Sequence, residues 1–377
     1  MTMSEVELEH EPSTTRPTSP RSATWGLTWH GVRTVAVLEL RQRVRSTRWI
    51  VALIVWFVVV GGITLLTSGA ISALSSGEAF GERPSNGPLL FGAVTFLVLG
   101  LGLLVTPTLA STGINGDRNA GTLATLQVTL LTPAEIAAGK LLAAWAAACA
   151  FLVASLPFFG IALALGGTPG TALPRVVLLV AVLLAAVCGI GLGFSALTAR
   201  TAGSTVLTFL TVAALTLLTP ILFGLTYPSI SRTQTVEVST VPQDWTGEVD
   251  TECEVRLEER SIAHTERTWW LLGINPFVVL ADGAGTTEHA RFADTGNDPL
   301  GVIRDGVRQL RAGPALPLDE CWTDETSVDD RIDAVSRTPV WPWGLGAIVL
   351  LGAGGFVVAV RRLHVPTRTL ARGTRVA

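Results

Sequence analysis

The sequence predicts an all-α polytopic membrane protein with six transmembrane helices and a small α+β extracytoplasmic domain between the fifth and sixth. Three observations carry that prediction. Hydrophobic residues make up 49% of the 377 and charged ones only 15%, with mean hydropathy +0.49, as expected of a multi-pass helical membrane protein rather than a soluble one. Six apolar runs approach or exceed the about 20 residues a helix needs to cross the hydrocarbon core. Charge is divided: the net of −3 conceals a 227–340 segment with ten Arg and no Lys against 21 Asp and Glu, and a remainder that is basic.

Residues 1–24, rich in Thr, Ser, Pro and Glu, read as a disordered cytoplasmic tail. In 25–48, Trp25, Trp29, Val32, Ala36 and Leu40 form a helical stripe beside Arg41, Arg43, Arg45 and Arg48, although Arg33 interrupts it; this basic helix is expected along the inner membrane face. The spans follow at Trp49–Thr67, Leu89–Ser111, Ala134–Leu165, Arg175–Thr198, Thr205–Thr226 and Trp341–Val360, with Pro157 expected to kink the long third one. Five of them fall in 49–226, together with a cytoplasmic loop at 112–140; the sixth occupies 341–361, and a basic cytoplasmic tail fills 362–377. Arginines before the first span and Arg361–Arg362 after the sixth place both termini in the cytoplasm under the positive-inside rule. Gly189, Gly191 and Gly193 permit close helix packing within the fourth span.

The 227–340 segment then faces outward. Thr251, Cys253, Val255 and Leu257 alternate with charged residues in a period-2 pattern, which predicts a half-buried strand, paired with Val236–Val241 across a Pro242–Gly247 turn. Asn275-Pro276 and Asp298-Pro299 each read as a cap followed by a first-turn proline, and Leu300, Ile303, Val307 and Leu310 make the second an amphipathic helix. Trp269 and Trp270 suit the outer headgroup level, so this subdomain is expected to rest on the bilayer. Cys149 and Cys188 sit in apolar spans as packing residues. Cys253 and Cys321 are the only two cysteines in the outer segment and are the disulfide candidates, their proximity being open at this point.

The polar stretch from Asp117 to Lys140 is the most informative. Leu123, Leu126 and Leu130 recur at i, i+3 and i+7, predicting a short helix with one apolar stripe. Thr132 then reads as an N-cap, Pro133 as the first helical residue and Glu135 as the partner in a capping box, so two rods meet at one corner. Catalytic chemistry is not legible. The chain's single lysine, Lys140, follows Gly139, but Ala134 and Leu141 stand where a phosphate-binding loop needs Gly and Ser or Thr. The five histidines lack metal-ligand spacing, and no Gly-x-Ser-x-Gly occurs. Acidic or basic residues cost about 2.5 to 3.5 kcal/mol each at mid-membrane, and the span interiors carry essentially none, which weighs against a proton- or ion-coupled carrier.

Asp117-Arg118, Gly121-Thr122-Leu123, Leu130-Leu131, Pro133 and Gly139-Lys140 resemble the loop between the second and third spans of type-2 ATP-binding-cassette (ABC) exporter permeases. Glu39-Leu40-Arg41, Ser195-Ala196-Leu197 before Arg200, and Asn275-Pro276-Phe277 are similar to further family positions. Ala124 stands where the family usually has Glu, and Asn119-Ala120 departs from its more charged pattern. The resemblance implies a permease subunit without its own ATPase site. Its partners would be a cytoplasmic ATP-binding ABC subunit, a second permease copy in a homodimer or heterodimer, and membrane lipids; no nucleic acid and no cofactor are expected. Gly121, Thr122, Leu123, Leu126, Leu130, Pro133, Glu135 and Lys140 would form the ATPase-coupling helix and its corner, in a bacterial plasma membrane. A membrane-anchored receptor or assembly scaffold with an extracytoplasmic binding domain is the alternative, and a secondary transporter the third reading.

Overall fold

The computed structural model describes residues 24–75, 86–127, 129–242, 253–286, 298–321 and 338–364. The expected tail up to residue 23, the turn beyond Pro242, the start of the second strand at Thr251 and Glu252, and the basic tail beyond His364 lie outside them. In chain order, α1 (Trp29–Val44) precedes α2 (Thr47–Ser75) and α3 (Gly87–Ala110); α4 (Asn115–Ala120) and α5 (Thr122–Gln127) form an elbow; α6 (Pro133–Ala164), α7 (Ala172–Leu197) and α8 (Thr201–Ile230) follow. Next come β1 (Ser231–Thr240), β2 (Glu254–Ala263), α9 (Trp269–Gly273), α10 (Pro276–Gly283), α11 (Pro299–Ala312), β3 (Leu318–Asp319) and α12 (Trp341–Leu363).

Helices α2, α3, α6, α7, α8 and α12 are each long and apolar enough to cross a membrane, so the chain has the makings of a multi-pass membrane protein. Their ends fall within a few residues of the sequence expectation except that α2 runs eight residues past the expected Thr67 to Ser75, and Pro157 sits inside α6 without ending it. The fourth span, α7, is the centre of the bundle: 72% of its most apolar window is buried inside the chain, against 22% for α2 and for α8, whose apolar faces are open. Leu183 and Leu184 of α7 pack with Leu90, Phe91 and Leu99 of α3, Phe159 of α6 and Ile348 of α12 in one core.

Glycine sets the α7–α12 contact. A methyl group on Gly193 would sit 2.6 Å from the Gly355 Cα, and one on Gly189 would strike the Gly352 carbonyl. The two backbones therefore touch without side chains between them, as in small-residue interfaces of membrane helices.

Span α8 contains a π-helical turn, Ala214–Leu218. Such a turn displaces backbone acceptors from the regular ladder, and a membrane environment offers no water to replace the donors. Asn275 answers it: Nδ2 donates to the Thr216 carbonyl at 2.9 Å and to Thr219 Oγ1 at 3.1 Å, while Oδ1 accepts from the Phe277 N–H at 2.9 Å and so caps α10.

The segment expected to rest on the bilayer divides in two. Its helices enter the bundle: Val279 and Leu280 of α10 and Leu300 of α11 are fully buried in the same core as α3 and α7. Phe277 meets Phe96 edge-on at 5.8 Å. Asp282, fully buried, accepts from the Val340 and Trp341 N–H groups at 2.6 and 2.7 Å and from Arg308 Nε at 2.6 Å. One carboxylate thus starts α12 and neutralises α11, the arrangement favoured at a positive helix N-terminus. Arg304 is also buried; desolvation works against its charge, but Asp305, Asp298 and Asp282 outweigh it and hold the guanidinium above its ordinary value.

Among the described residues of this segment, the sheet stands apart. Its strand order is β2-β1-β3, with β1 and β2 antiparallel and β3 a two-residue parallel addition. The register pairs Val236 with Glu258 and Val238 with Arg256, so the inner face carries Val236, Val238 and Ile262. That corrects the strand reading: Val255 and Leu257 lie on the opposite face, 64% and 72% exposed, because β2 is an edge strand and its apolar residues alternate out of phase with the buried ones. Cys253 and Cys321 are joined by a disulfide with a Cα–Cα distance of 6.0 Å, tying the start of β2 to the residues after β3.

Candidate functional site: the elbow between the second and third spans

The elbow begins where α3 gives way to α4. Asn115 is fully buried; its Nδ2 donates to Ser204 Oγ at 2.7 Å and its Oδ1 accepts from Ser195 Oγ at 3.1 Å. Ser195 Oγ in turn accepts from the N–H groups of Ile114 and Asn115 at 3.0 and 3.1 Å, and Ser204 Oγ donates to the Ser111 carbonyl at 2.7 Å. These bonds satisfy the helix-end groups exposed where the chain turns and fasten the elbow to α7 and α8. Helix α4 closes at Gly121, whose φ of +73° is the left-handed C-cap conformation that glycine adopts without a Cβ penalty.

Helix α5 is shorter than the sequence pattern implies. It spans Thr122–Gln127, and Leu130 lies beyond it, fully exposed. The Thr129 hydroxyl donates to the Leu126 carbonyl at 2.6 Å and accepts weakly from the Leu131 N–H at 3.4 Å, a local turn that competes with helix continuation. The apolar stripe is consequently split. Leu123 is buried against Ile114, Ile136, Leu192 and Val360, with Leu126 partly buried on the same cluster. Gln127 Nε2 donates to the Leu363 carbonyl at 3.3 Å, so the elbow also touches the end of α12. Gly121, Thr122 and Leu130 face solvent at the tip.

The corner into α6 forms as its sequence prescribes. Thr132 is the N-cap, Pro133 opens the helix, Thr132 Oγ1 accepts from the Glu135 N–H at 3.1 Å, and Glu135 Oε2 accepts from the Thr132 N–H at 2.8 Å. The other carboxylate oxygen is committed elsewhere. Glu135 Oε1 accepts from the Thr28 N–H at 2.9 Å and the Thr28 hydroxyl at 2.5 Å, while Thr28 Oγ1 caps α1 by accepting from the Gly31 N–H at 3.1 Å. Thr132 Oγ1 also donates to the Gly26 carbonyl at 2.5 Å. The starts of α1 and α6 are therefore one hydrogen-bonded unit around a single negative charge that is 3% exposed.

One turn further on, Lys140 Nζ donates to Glu39 of α1 and to Asp117 of α4. Glycines allow this approach, since a methyl on Gly139 would sit 2.5 Å from Val35 Cβ and one on Gly31 2.7 Å from Glu135 Cδ. Helix α1 packs on α6 through Gly31, Val32, Val35 and Ala36, while Trp29 at its start is 74% exposed and Trp25 lies outside the helix. Arg43 Nη2 donates to the Leu109 carbonyl near the end of α3 at 2.9 Å, a cation at the negative end of a helix. Burial lowers the Arg43 guanidinium from its ordinary value, with Glu39 opposing.

Of the predicted residues, the structure brings Leu123, Leu126, Pro133, Glu135 and Lys140 into packed or hydrogen-bonded contact with the bundle and α1, and leaves Gly121, Thr122 and Leu130 exposed. Asn115, Ser195, Ser204 and Thr28 were not anticipated as partners. Their signal was present, since an isolated Asn at the end of an apolar span needs partners for its amide, but the sequence does not say which. Among the described residues, no group of three His, Cys, Asp or Glu side chains is placed to hold a metal ion. No family model and no curated protein matches the chain.

Proposed function

We propose that this chain is the membrane-spanning subunit of an ATP-driven exporter, in which the elbow 112–140 is pushed by a separate cytoplasmic ATPase and passes that displacement to the bundle. A second copy or a related permease would complete the pathway. The carrying observation is the build of the elbow: a protruding tip at Leu130 on a base that Glu135, Lys140 and Asn115 fasten to α1, α6, α7 and α8. A loop that merely connected two spans would not need buried charges and caps to make it stiff, whereas a lever does, because a force at its tip must reach packed helices as a rigid-body shift. The basic lead-in to the first span and Arg361–Arg362 favour a cytoplasmic location for the elbow in a bacterial plasma membrane.

The test is co-purification of the tagged full chain from its native host. Recovery of an ATP-binding subunit lacking membrane spans, lost in Leu130→Asp, supports the reading. Leu130 is the informative position, since Leu123→Asp would place a charge in the core and disturb folding as well. Purification without any ATPase overturns it. One observation favours a receptor or scaffold instead: Val255 and Leu257 are exposed on an edge strand, the geometry a partner strand extends. That reading expects the chain to be recovered with a partner bound through the sheet and without an ATPase.

A further inference from the structure

A groove of ≈ 770 Å³ runs between the α1–α2 corner and α3, with Phe151 of α6 at its back. Its two ends differ in chemistry. Gln42, Arg43, Ser46 and Arg48 surround the mouth, and beyond them Trp49, Val59, Leu101 and Val105 line an apolar slot. Trp49 is steadied by edge-on contact with Phe151 at 5.1 Å. From Arg48 to Val59 the slot follows α2 for about 16 Å at 1.5 Å per residue. That is about half of a hydrocarbon core of about 30 Å, the depth of one leaflet. The volume is within the ~300 to 1,000 Å³ typical of ligand sites.

We propose that this groove binds one anionic phospholipid of the leaflet on the α1 side, with its phosphate between Arg43 and Arg48 and an acyl chain along the slot. Charge complementarity selects the occupant: two guanidinium groups at headgroup level attract a phosphate, and a protein helix would have to bury both arginines against apolar surface. The position adds a consequence. Arg43 also holds the end of α3, and the start of α1 is bonded to α6, so a lipid there sits against α1 and against the two spans that the elbow joins. The proposal is independent of any ATPase.

The experiment uses the full chain in phosphatidylcholine vesicles containing graded brominated phosphatidylglycerol, with tryptophan quenching as readout. The quenching component missing in Trp49→Phe reports the groove. Each arginine should contribute about a fivefold preference for phosphatidylglycerol, so Arg48→Gln should weaken the preference about fivefold, and Arg43→Gln similarly where it folds. Ala52→Phe, which fills the slot without altering charge, should abolish the saturable component. Arg45→Gln, outside the groove, should leave it unchanged. Equal quenching by brominated phosphatidylcholine, an equal effect of Arg45→Gln, or persistence in Ala52→Phe overturns the proposal. Protection of Trp49 from both lipids does so too, since another protein surface would then cover the groove.

Discussion

The bond between Thr28 and Glu135 is the most direct test of whether α1 and α6 move as one body. Thr28→Val keeps the side-chain shape and removes a hydroxyl that both donates to Glu135 and caps the Gly31 N–H. The cap is worth about 0.5–2 kcal/mol, and a hydrogen bond to a charged acceptor about 1.5–3 kcal/mol, giving about 3 kcal/mol for the single variant. Glu135→Gln keeps the size and turns one acceptor into a donor that faces either Thr28 or the Thr132 N–H. Only the contact between the two residues survives in a double-mutant cycle, and its expected coupling is about 1.5–3 kcal/mol. The assay is reversible unfolding in mixed micelles followed by far-UV circular dichroism, with Thr28→Ser as the control that restores the hydroxyl. Additivity of the two variants to within about 0.5 kcal/mol would refute the idea that one carboxylate joins the two helix starts.

Lys140→Met strands Glu39 and Asp117 beside each other. Removing one partner of a buried pair costs about 3–5 kcal/mol, but their side chains are 17% and 28% exposed, so about 2 kcal/mol is expected in the same assay and adding Asp117→Asn should recover part of it. Gly193→Leu should force α7 from α12 at a cost of at least the about 1–3 kcal/mol typical of overpacking, read as a lower midpoint in thermal unfolding. Asp282→Ala strands Arg308, which is 20% exposed, so the about 3–5 kcal/mol of a fully buried pair falls to about 2 kcal/mol, and hydrogen exchange should show the first turn of α12 losing protection. Cys253→Ser with Cys321→Ser should expose β1 and β2 amides to exchange and leave α7 and α12 protected, because the bond lies wholly within the sheet unit.

Six spans were legible because hydropathy over some twenty residues is a cumulative signal that no single residue can spoil. The Thr132–Pro133–Glu135 cap was legible because its partners are local. What was hidden is long-range: Thr28 and Glu135 are 107 residues apart, and Asn115 and Ser204 are 89 apart, so nothing in either neighbourhood names the other. Leu130 illustrates a different limit. Its spacing fits a helical stripe, but periodicity counts positions and cannot weigh the Thr129 turn that ends the helix first. Val255 and Leu257 show the same limit in a strand, where alternation reveals two faces without telling which one is covered.

The carboxylate of Asp282 reaches across 58 positions to the backbone of Val340. Helix α12 is consequently completed by a residue made well before it, on a helix packed against the second, fourth and fifth spans. Synthesis delivers α12 after α10, and its first turn can be finished only on a docking seat assembled beforehand. A truncation or swap that treats α12 as a detachable anchor would leave that seat empty, with the Asp282 carboxylate held by Arg308 alone.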